Sequence, residues 1–368
     1  MEILPTSLGT RPRLAVEIRA EGVVAARAED AAALLAAVAR GDLAEGVVTP
    51  GLKAGNIVDR AAVVAAVRKA LDGVVGRGAE RGRDVTVVVP DAAVRVLLLD
   101  FDQLPSKIAE ALPVVRFRLK KLLPFDADDA AVSYQVMSNA KGIVRVVAVA
   151  MAKDVLEEYE GVVTAAGYLP GAVLPSTLAA LAGLDEAEAP ALVVNAGPSA
   201  VTTAIARGGV LLLHRSVDMA GELPVNEVGT MGVPLPLVDR ENSAQEWAQQ
   251  EAQTPGGYDR FDAATAMQTQ VLEQAEIREI AAIAAAREVM QAVSVAAAYF
   301  EDSLQVGPGE VLAAGTMGAE ALAAIMQGRG LDGLRVRELV EVGMLQTGAV
   351  TASVPRGWLA GVRGALKN

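Results

Sequence analysis

The stretch LPSKIAEALPVVRFRLKKLLPFDADDAAVSYQV (residues 104–136), continued by RVVAVAMAKDVLEEYEGVVTAAGYLP (145–170), sets the reading of the whole chain. Residues 107–122 space their apolar side chains as a helix does, with Ser106 as the expected N-cap, and Leu123-Pro124-Phe125 stops that helix because proline cannot continue it. Residues 132–137 and 144–150 are β-rich runs joined by the turn 138–142, Ser-Asn-Ala-Lys-Gly. Residues 154–166 form a second amphipathic helix, closed by Gly167. The order is helix, strand, strand, helix, leading into a further strand.

Upstream, residues 14–18 and 22–26 read as a strand pair, 30–39 as an alanine-rich helix, 46–55 as a loop around Pro50, and 60–71 as a helix. Residues 85–89 are apolar throughout, as a strand buried on both faces is; Pro90-Asp91 separates them from a strand at 94–99. Downstream, 174–184 read as a helix. The acidic, proline-ended run 185–190 (DEAEAP) reads as a hinge. Strands follow at 191–195, 201–207 and 210–215. Residues 219–265 are proline-punctuated around a Gln/Glu-rich helix at 243–253, and 267–304 read as one or two long helices. A strand at 310–314, a turn at 315–318, a helix at 319–327, a strand from Val336 and a short helix at 356–366 complete the chain. Both halves thus open on strand–turn–strand, a pattern of internal duplication.

With 368 residues the chain exceeds one ordinary core and implies two lobes. Apolar residues make up 52% and aromatic residues only 3%, so the core must be built from Ala, Val and Leu. The net charge of −12 argues against a nucleic-acid partner, which needs a basic face. The basic clusters Arg116, Arg118, Lys120, Lys121 and Arg77, Arg81, Arg83 read as solvated surface. So do Glu157, Glu158 and Glu160 on the second helix of the opening stretch. The absence of cysteine excludes disulfides and thiolate chemistry, and a single histidine, His214, leaves no material for a histidine metal site or triad. Asp126, Asp128 and Asp129 lack EF-hand spacing and read as a loop carboxylate run. No basic segment followed by an apolar run opens the chain, and no apolar run approaches the roughly 18 residues of a membrane span. A cytoplasmic protein without direct membrane insertion is expected.

From Gly46 to Leu184 the segments GNIVDRAAVVAAVRKAL, VTVVVPDAAVRVLLL and RFRLKKLLPFDADDAAVSYQV resemble the PilM family, actin-like cytoplasmic proteins of type IV pilus assembly. The helix that ends in an aromatic–Arg–basic run followed by Leu-Pro-Phe separates this resemblance from the cell-division relative FtsA. The resemblance implies an α/β, actin-like (ribonuclease H-like) fold of two lobes. Lobe 1 would span 10–186, with a core of 10–101 and 167–186 and a small helix–strand–strand–helix insert at 102–166. Lobe 2 would span 190–368, with a core of 190–215 and about 294–368 and a loop-rich insert at 216–293.

In actin-like proteins two hairpin turns cradle nucleotide phosphates, using glycine for close approach and an Asp to organise metal and water. Here the first turn follows Glu17 where Asp is usual, with Arg19 in place of glycine and Glu21 adding negative charge. The second reads Asn195-Ala196-Gly197-Pro198-Ser199, and the adenosine turn keeps only Gly315, followed by Thr316. The vestigial nucleotide-binding residues are therefore Glu17, Asn195, Gly197, Ser199, Gly315 and Thr316. The erosion points away from an enzyme and from any cofactor, with ATP–Mg binding as the alternative. The resemblance implies a scaffold that binds the cytoplasmic N-terminal peptide of a PilN-like inner-membrane protein, together with other pilus assembly proteins and self-association. Recruitment to the inner membrane would come through that partner. The peptide would dock beside the insert, with Val115, Phe117, Leu119, Leu123, Phe125 and Tyr134 as candidate lining residues, each of which could equally serve the insert's own core. The competing readings are an active actin-like ATPase and a cytoplasmic component of a secretion system of the GspL kind.

Overall fold

A computed structural model describes residues 12–75, 83–185, 189–198, 200–219, 280–327, 333–346 and 354–367. Among these residues thirteen strands are arranged in three sheets. The first sheet contains β1 (Leu14–Ile18), β2 (Gly22–Ala28), β3 (Leu35–Asp42), β4 (Asp84–Val89) and β8 (Leu169–Pro175), in the order β3-β2-β1-β4-β8. The second contains β9 (Ala191–Ala196), β10 (Ala200–Arg207), β11 (Val210–Asp218), β12 (Glu310–Gly315) and β13 (Arg335–Glu338), in the order β11-β10-β9-β12-β13. In each, an antiparallel meander of three strands is extended by two parallel strands. The two sheets are one topology used twice.

β3 occupies the second half of the segment expected as an alanine-rich helix at 30–39. Its burial recurs every third residue, at Leu35, Val38 and Gly41, which imitates a helical face. Pairing with β2 and close packing under helix α1 (Arg60–Val74) override the helix preference of alanine. Asp59 caps α1, accepting from the amide of Ala62 at 3.0 Å. Small residues set the spacing of these layers: a Cβ at Gly41 would lie 2.5 Å from the carbonyl oxygen of Ala66.

The third sheet is formed by β5 (Arg95–Phe101), β6 (Ala130–Ala140) and β7 (Ile143–Ala152), in the order β5-β7-β6. It pairs with neither large sheet, and helix α2 (Ile108–Leu119) packs on it through Val115 and Leu119. Three details differ from the sequence expectation. β5 lies before residue 102 yet belongs to this sheet. Helix α3 (Lys153–Ala165), expected with the insert, turns Val155, Tyr159, Val162 and Val163 into the core shared with α1 and the first sheet. At α2 the residue before the helix is Lys107, without a side-chain cap, rather than Ser106.

Helix α4 (Ser176–Ala182) follows β8, so the expected helix start at 174 falls in strand. The last helix, α7 (Leu359–Leu366), entered through the turn Arg356–Trp358, crosses back from lobe 2 and packs on α4 and on β1 and β2 of lobe 1. Gly364 makes this possible, because a Cβ there would lie 1.8 Å from the carbonyl oxygen of Ala179. One apolar cluster consequently runs through both lobes, from Ala15 and Val88 through Leu178 and Trp358 to Val193 and Leu312.

Helix α5 is described over Ile280–Leu304 and α6 over Gly318–Met326. α5 has the length and composition to cross a membrane, contrary to the expectation that no segment does, and half of its most apolar window is buried. Ala285, Val289, Val293 and Phe300 supply its share of the lobe 2 core beneath β9, β10 and β12. The proline-punctuated region 219–265 lies outside the described residues except at its first position, as do Arg77, Arg81 and 186–188 of the expected hinge.

Candidate functional site

The turns that face one another across the two lobes are closed by a buried polar network. Glu17, on β1, is fully buried and pairs with Arg19, Nη2 to Oε1 at 2.6 Å. Ser176, at the start of α4, donates to the same carboxylate oxygen at 2.6 Å. Asn195, on β9 of the other lobe, donates its amide to Ser176 Oγ at 2.9 Å, Thr177 Oγ1 at 3.0 Å and Asp91 Oδ2 at 3.2 Å. Asp91 in turn accepts from the backbone amide of Thr177 at 3.1 Å. Side chains from β1, the β4–β5 turn, α4 and β9 thus meet in one place. Burial pushes the Glu17 carboxyl above its ordinary value, against the lowering pull of Arg19 and Ser176. Among the described residues its second oxygen finds no partner, since α7 presses on it: a Cβ at Gly361 would lie 2.4 Å away. Trp358 lies under Arg40, 4.4 Å from guanidinium to ring centroid, and 5.9 Å from Arg19.

Between the hairpin turns a cavity of about 60 Å³ remains, lined by Glu17, Arg19, Glu21, Asn195, Gly197 and Pro198 among others. The Glu21 carboxylate faces the second turn: a Cβ at Gly197 would lie 3.4 Å from its Oε1, and Thr316 Oγ1 donates to that oxygen at 3.5 Å. Burial raises the Glu21 carboxyl as well, with Arg19 pulling it down. Gly315 adopts φ +85° and passes so close to β9 that a Cβ would lie 2.4 Å from Ala196 O and 2.6 Å from Asn195 Oδ1. Of the six residues expected as a vestigial nucleotide site, Glu17, Asn195 and Gly197 line the cavity, and Gly315 and Thr316 close against its second turn. Ser199 lies outside the described residues. Ser176, Thr177, Asp91, Trp358 and Gly361 carry no motif that marks them in the sequence. The glycine spacing Gly357, Gly361, Gly364 was the available signal for a closely packed terminal helix.

A second, larger concavity of about 240 Å³ opens between the small sheet and the core of lobe 1. Its walls come from β6 and β7 (Val132, Ser133, Val149, Met151), from α3 (Leu156, Glu160) and from β8 (Gly171, Val173). β6 and β8 are the edge strands of their respective sheets, so the groove runs between two edges. β8 carries Pro170 and Pro175, which blunt its edge, whereas β6 has an amide at every position. The six residues expected to line a partner groove lie elsewhere. Val115 and Leu119 are buried on the inner face of α2, Phe117 is 68% exposed, and Leu123, Phe125 and Tyr134 are half-buried against the insert's core.

α3 is held rigidly beside this groove. Glu158, expected as solvated surface, instead accepts from the backbone amides of Gly55, Asn56 and Ile57 at 2.6, 2.8 and 3.4 Å. Tyr159 donates to Asn56 Oδ1 at 3.2 Å, and burial raises its phenol well above the ordinary range. Among the described residues no group of three or more His, Asp or Glu side chains is placed to hold a metal ion. In the acidic run Asp126, Asp128 and Asp129, Asp128 instead pairs with Lys120 at 2.6 Å.

The duplicated sheets, the crossing terminal helix and the network between the lobes define a two-lobed α/β protein of the actin-like fold. Among solved structures the chain is similar to the PilM–PilN type IV pilus biogenesis complex, at 16% identity over 96% of this chain and 98% of that chain, with a TM-score of 0.61. Looser overlaps are found with ethanolamine utilization protein EutJ from Carboxydothermus hydrogenoformans (13% identity, 99% of this chain and 90% of that chain, TM-score 0.43) and with the cytoplasmic domain of EpsL, an inner-membrane component of the type II secretion system of Vibrio cholerae (13%, 56% and 70%, TM-score 0.36). At these identities the likeness is one of fold. No family model and no curated protein sequence matches the chain.

Proposed function

We propose that the protein is a non-catalytic cytoplasmic scaffold of type IV pilus assembly that holds an extended peptide in the groove between its insert and lobe 1. The peptide belongs to the cytoplasmic N-terminus of a PilN-like membrane protein, which recruits the scaffold to the inner membrane. The observation that carries this reading is the groove of about 240 Å³ flanked by the two edge strands β6 and β8. An extended segment adding to the open edge of β6 would satisfy its backbone there and place alternate side chains against Val132, Met151 and Leu156. The 0.61 TM-score to a chain of a complex named for two pilus proteins supports the same assignment.

The cleft between the lobes is read as structural. Small-molecule sites usually occupy roughly 300–1,000 Å³, against about 60 Å³ here. Glu21 puts a carboxylate where phosphate would lie, and Pro198 removes a donor from the second turn. These residues do not fit ATP and its metal ion, and no step is assigned to them. The test is titration calorimetry of the full chain with a synthetic peptide of the partner's N-terminus, beside the Ser133→Trp variant. Ser133 is exposed on the edge strand, so tryptophan there narrows the groove without entering the core. Binding to the wild type that is lost in a variant of unchanged melting temperature is the expected result. Equal binding by both would overturn the groove assignment.

A further inference from the structure

We propose that the groove selects an extended segment bearing a basic side chain, and that Glu160 is the residue that reads it; this rests on the docking role proposed above. Among the described residues Glu160 is the single charged member of the groove lining, whose other members are apolar or uncharged. It is half-buried on α3, and among the described residues its carboxylate takes part in no hydrogen bond or ion pair. The groups around it are already engaged. Arg60 donates to the Gly161 carbonyl at 2.8 Å, Thr164 donates to the Glu160 backbone carbonyl at 2.9 Å, and Glu158 is committed to the 55–57 amides.

A wholly apolar ligand seated here would strip water from this carboxylate and leave it unpaired, which disfavours such ligands. A ligand cation would compensate the loss, and arginine could do so with two parallel hydrogen bonds. The net charge of −12 also draws a basic segment toward the surface before it docks. If the segment adds to β6, side chains two apart share one face. The cation and the apolar anchors therefore occupy positions of the same parity.

Random decapeptides displayed on phage and selected against the folded full-length chain test this without presuming a partner. The wild type should enrich peptides with Arg or Lys at one fixed position and apolar residues two positions away. Glu160→Gln should weaken a selected peptide about three- to tenfold, the scale of a partly buried ion pair. Selection against Glu160→Arg should enrich Asp or Glu at the same position. Ser133→Trp should abolish binding, with Gly171→Leu as a second blocking variant, since a Cβ at Gly171 meets only ordinary contacts of 3.5 and 3.8 Å. Melting temperatures show that each variant folds. Peptides that depend on the open groove but show no cation preference, or keep it in Glu160→Arg, overturn the role of Glu160 alone. Peptides indifferent to both blocking variants, or no enrichment at all, overturn the docking reading beneath it.

Discussion

Asn195 shows what a single atom decides in this chain. Its amide nitrogen donates to Ser176, Thr177 and Asp91, bridging the two lobes. An aspartate there would set a second carboxylate about as close to Asp91 as the present 3.2 Å contact and would remove the shared donor. Asn195→Asp is therefore expected to lower stability by about 1–3 kcal/mol, read as a fall in the urea midpoint at pH 7, although it places at this turn the residue usual in the phosphate turns of actin-like proteins. An unchanged midpoint would show that the bridge contributes nothing. Glu21 makes a complementary prediction. Its folded carboxyl lies above the ordinary 4.5 because burial outweighs the pull of Arg19. The folded state thus binds the proton more tightly than the unfolded chain. The stability this provides is complete below the ordinary value and is lost as pH rises through the folded one. Glu21→Gln should accordingly raise the melting temperature at neutral pH, with the gain fading as pH falls toward 4.5. Destabilisation across the whole range would contradict it. Glu17 and Asn195 were legible in sequence as departures from a phosphate turn. What they do instead was not, because apart from Arg19 their partners lie far away in the chain, at Asp91, Ser176 and Thr177.

At the scale of elements, the contact between α4 and α7 holds the lobes in register. The short approach of Gly364 to Ala179 leaves no room for a methyl group. Gly364→Ala is expected to force the helices apart and cost about 3 kcal/mol. Gly307→Ala, where nothing lies within 4 Å of the added carbon, should stay near neutral. Chemical denaturation of the two side by side checks this, and similar midpoints would refute the packing argument. The crossing of α7 was hidden because amphipathic spacing says that a helix packs but not against which lobe. The helix expectation at β3 fails for a local reason: alanine favours helix, and only pairing with β2 turns the segment into a strand. The duplication offered the correction, since β9, β10 and β11 form a meander of three strands and its counterpart needs a third strand after β2. The insert was legible through its helix stop at Leu123-Pro124-Phe125 and its hairpin. The groove residues were not, because Val132, Glu160 and Gly171 converge only when the small sheet is set against lobe 1.

For the whole molecule, the two repeated sheets and the apolar cluster that runs through both lobes make a closed frame, with the groove on its flank. The proposed function is to hold a peptide there rather than to turn over nucleotide in the cleft. Hydrogen exchange on the full-length protein, with the partner's N-terminal peptide and separately with ATP–Mg, tests it most directly. The account predicts that the peptide slows exchange along β6 and leaves the β1–β2 and β9–β10 turns unchanged, and that ATP–Mg protects nothing. Protection of those turns by ATP–Mg, with β6 indifferent to the peptide, would contradict it.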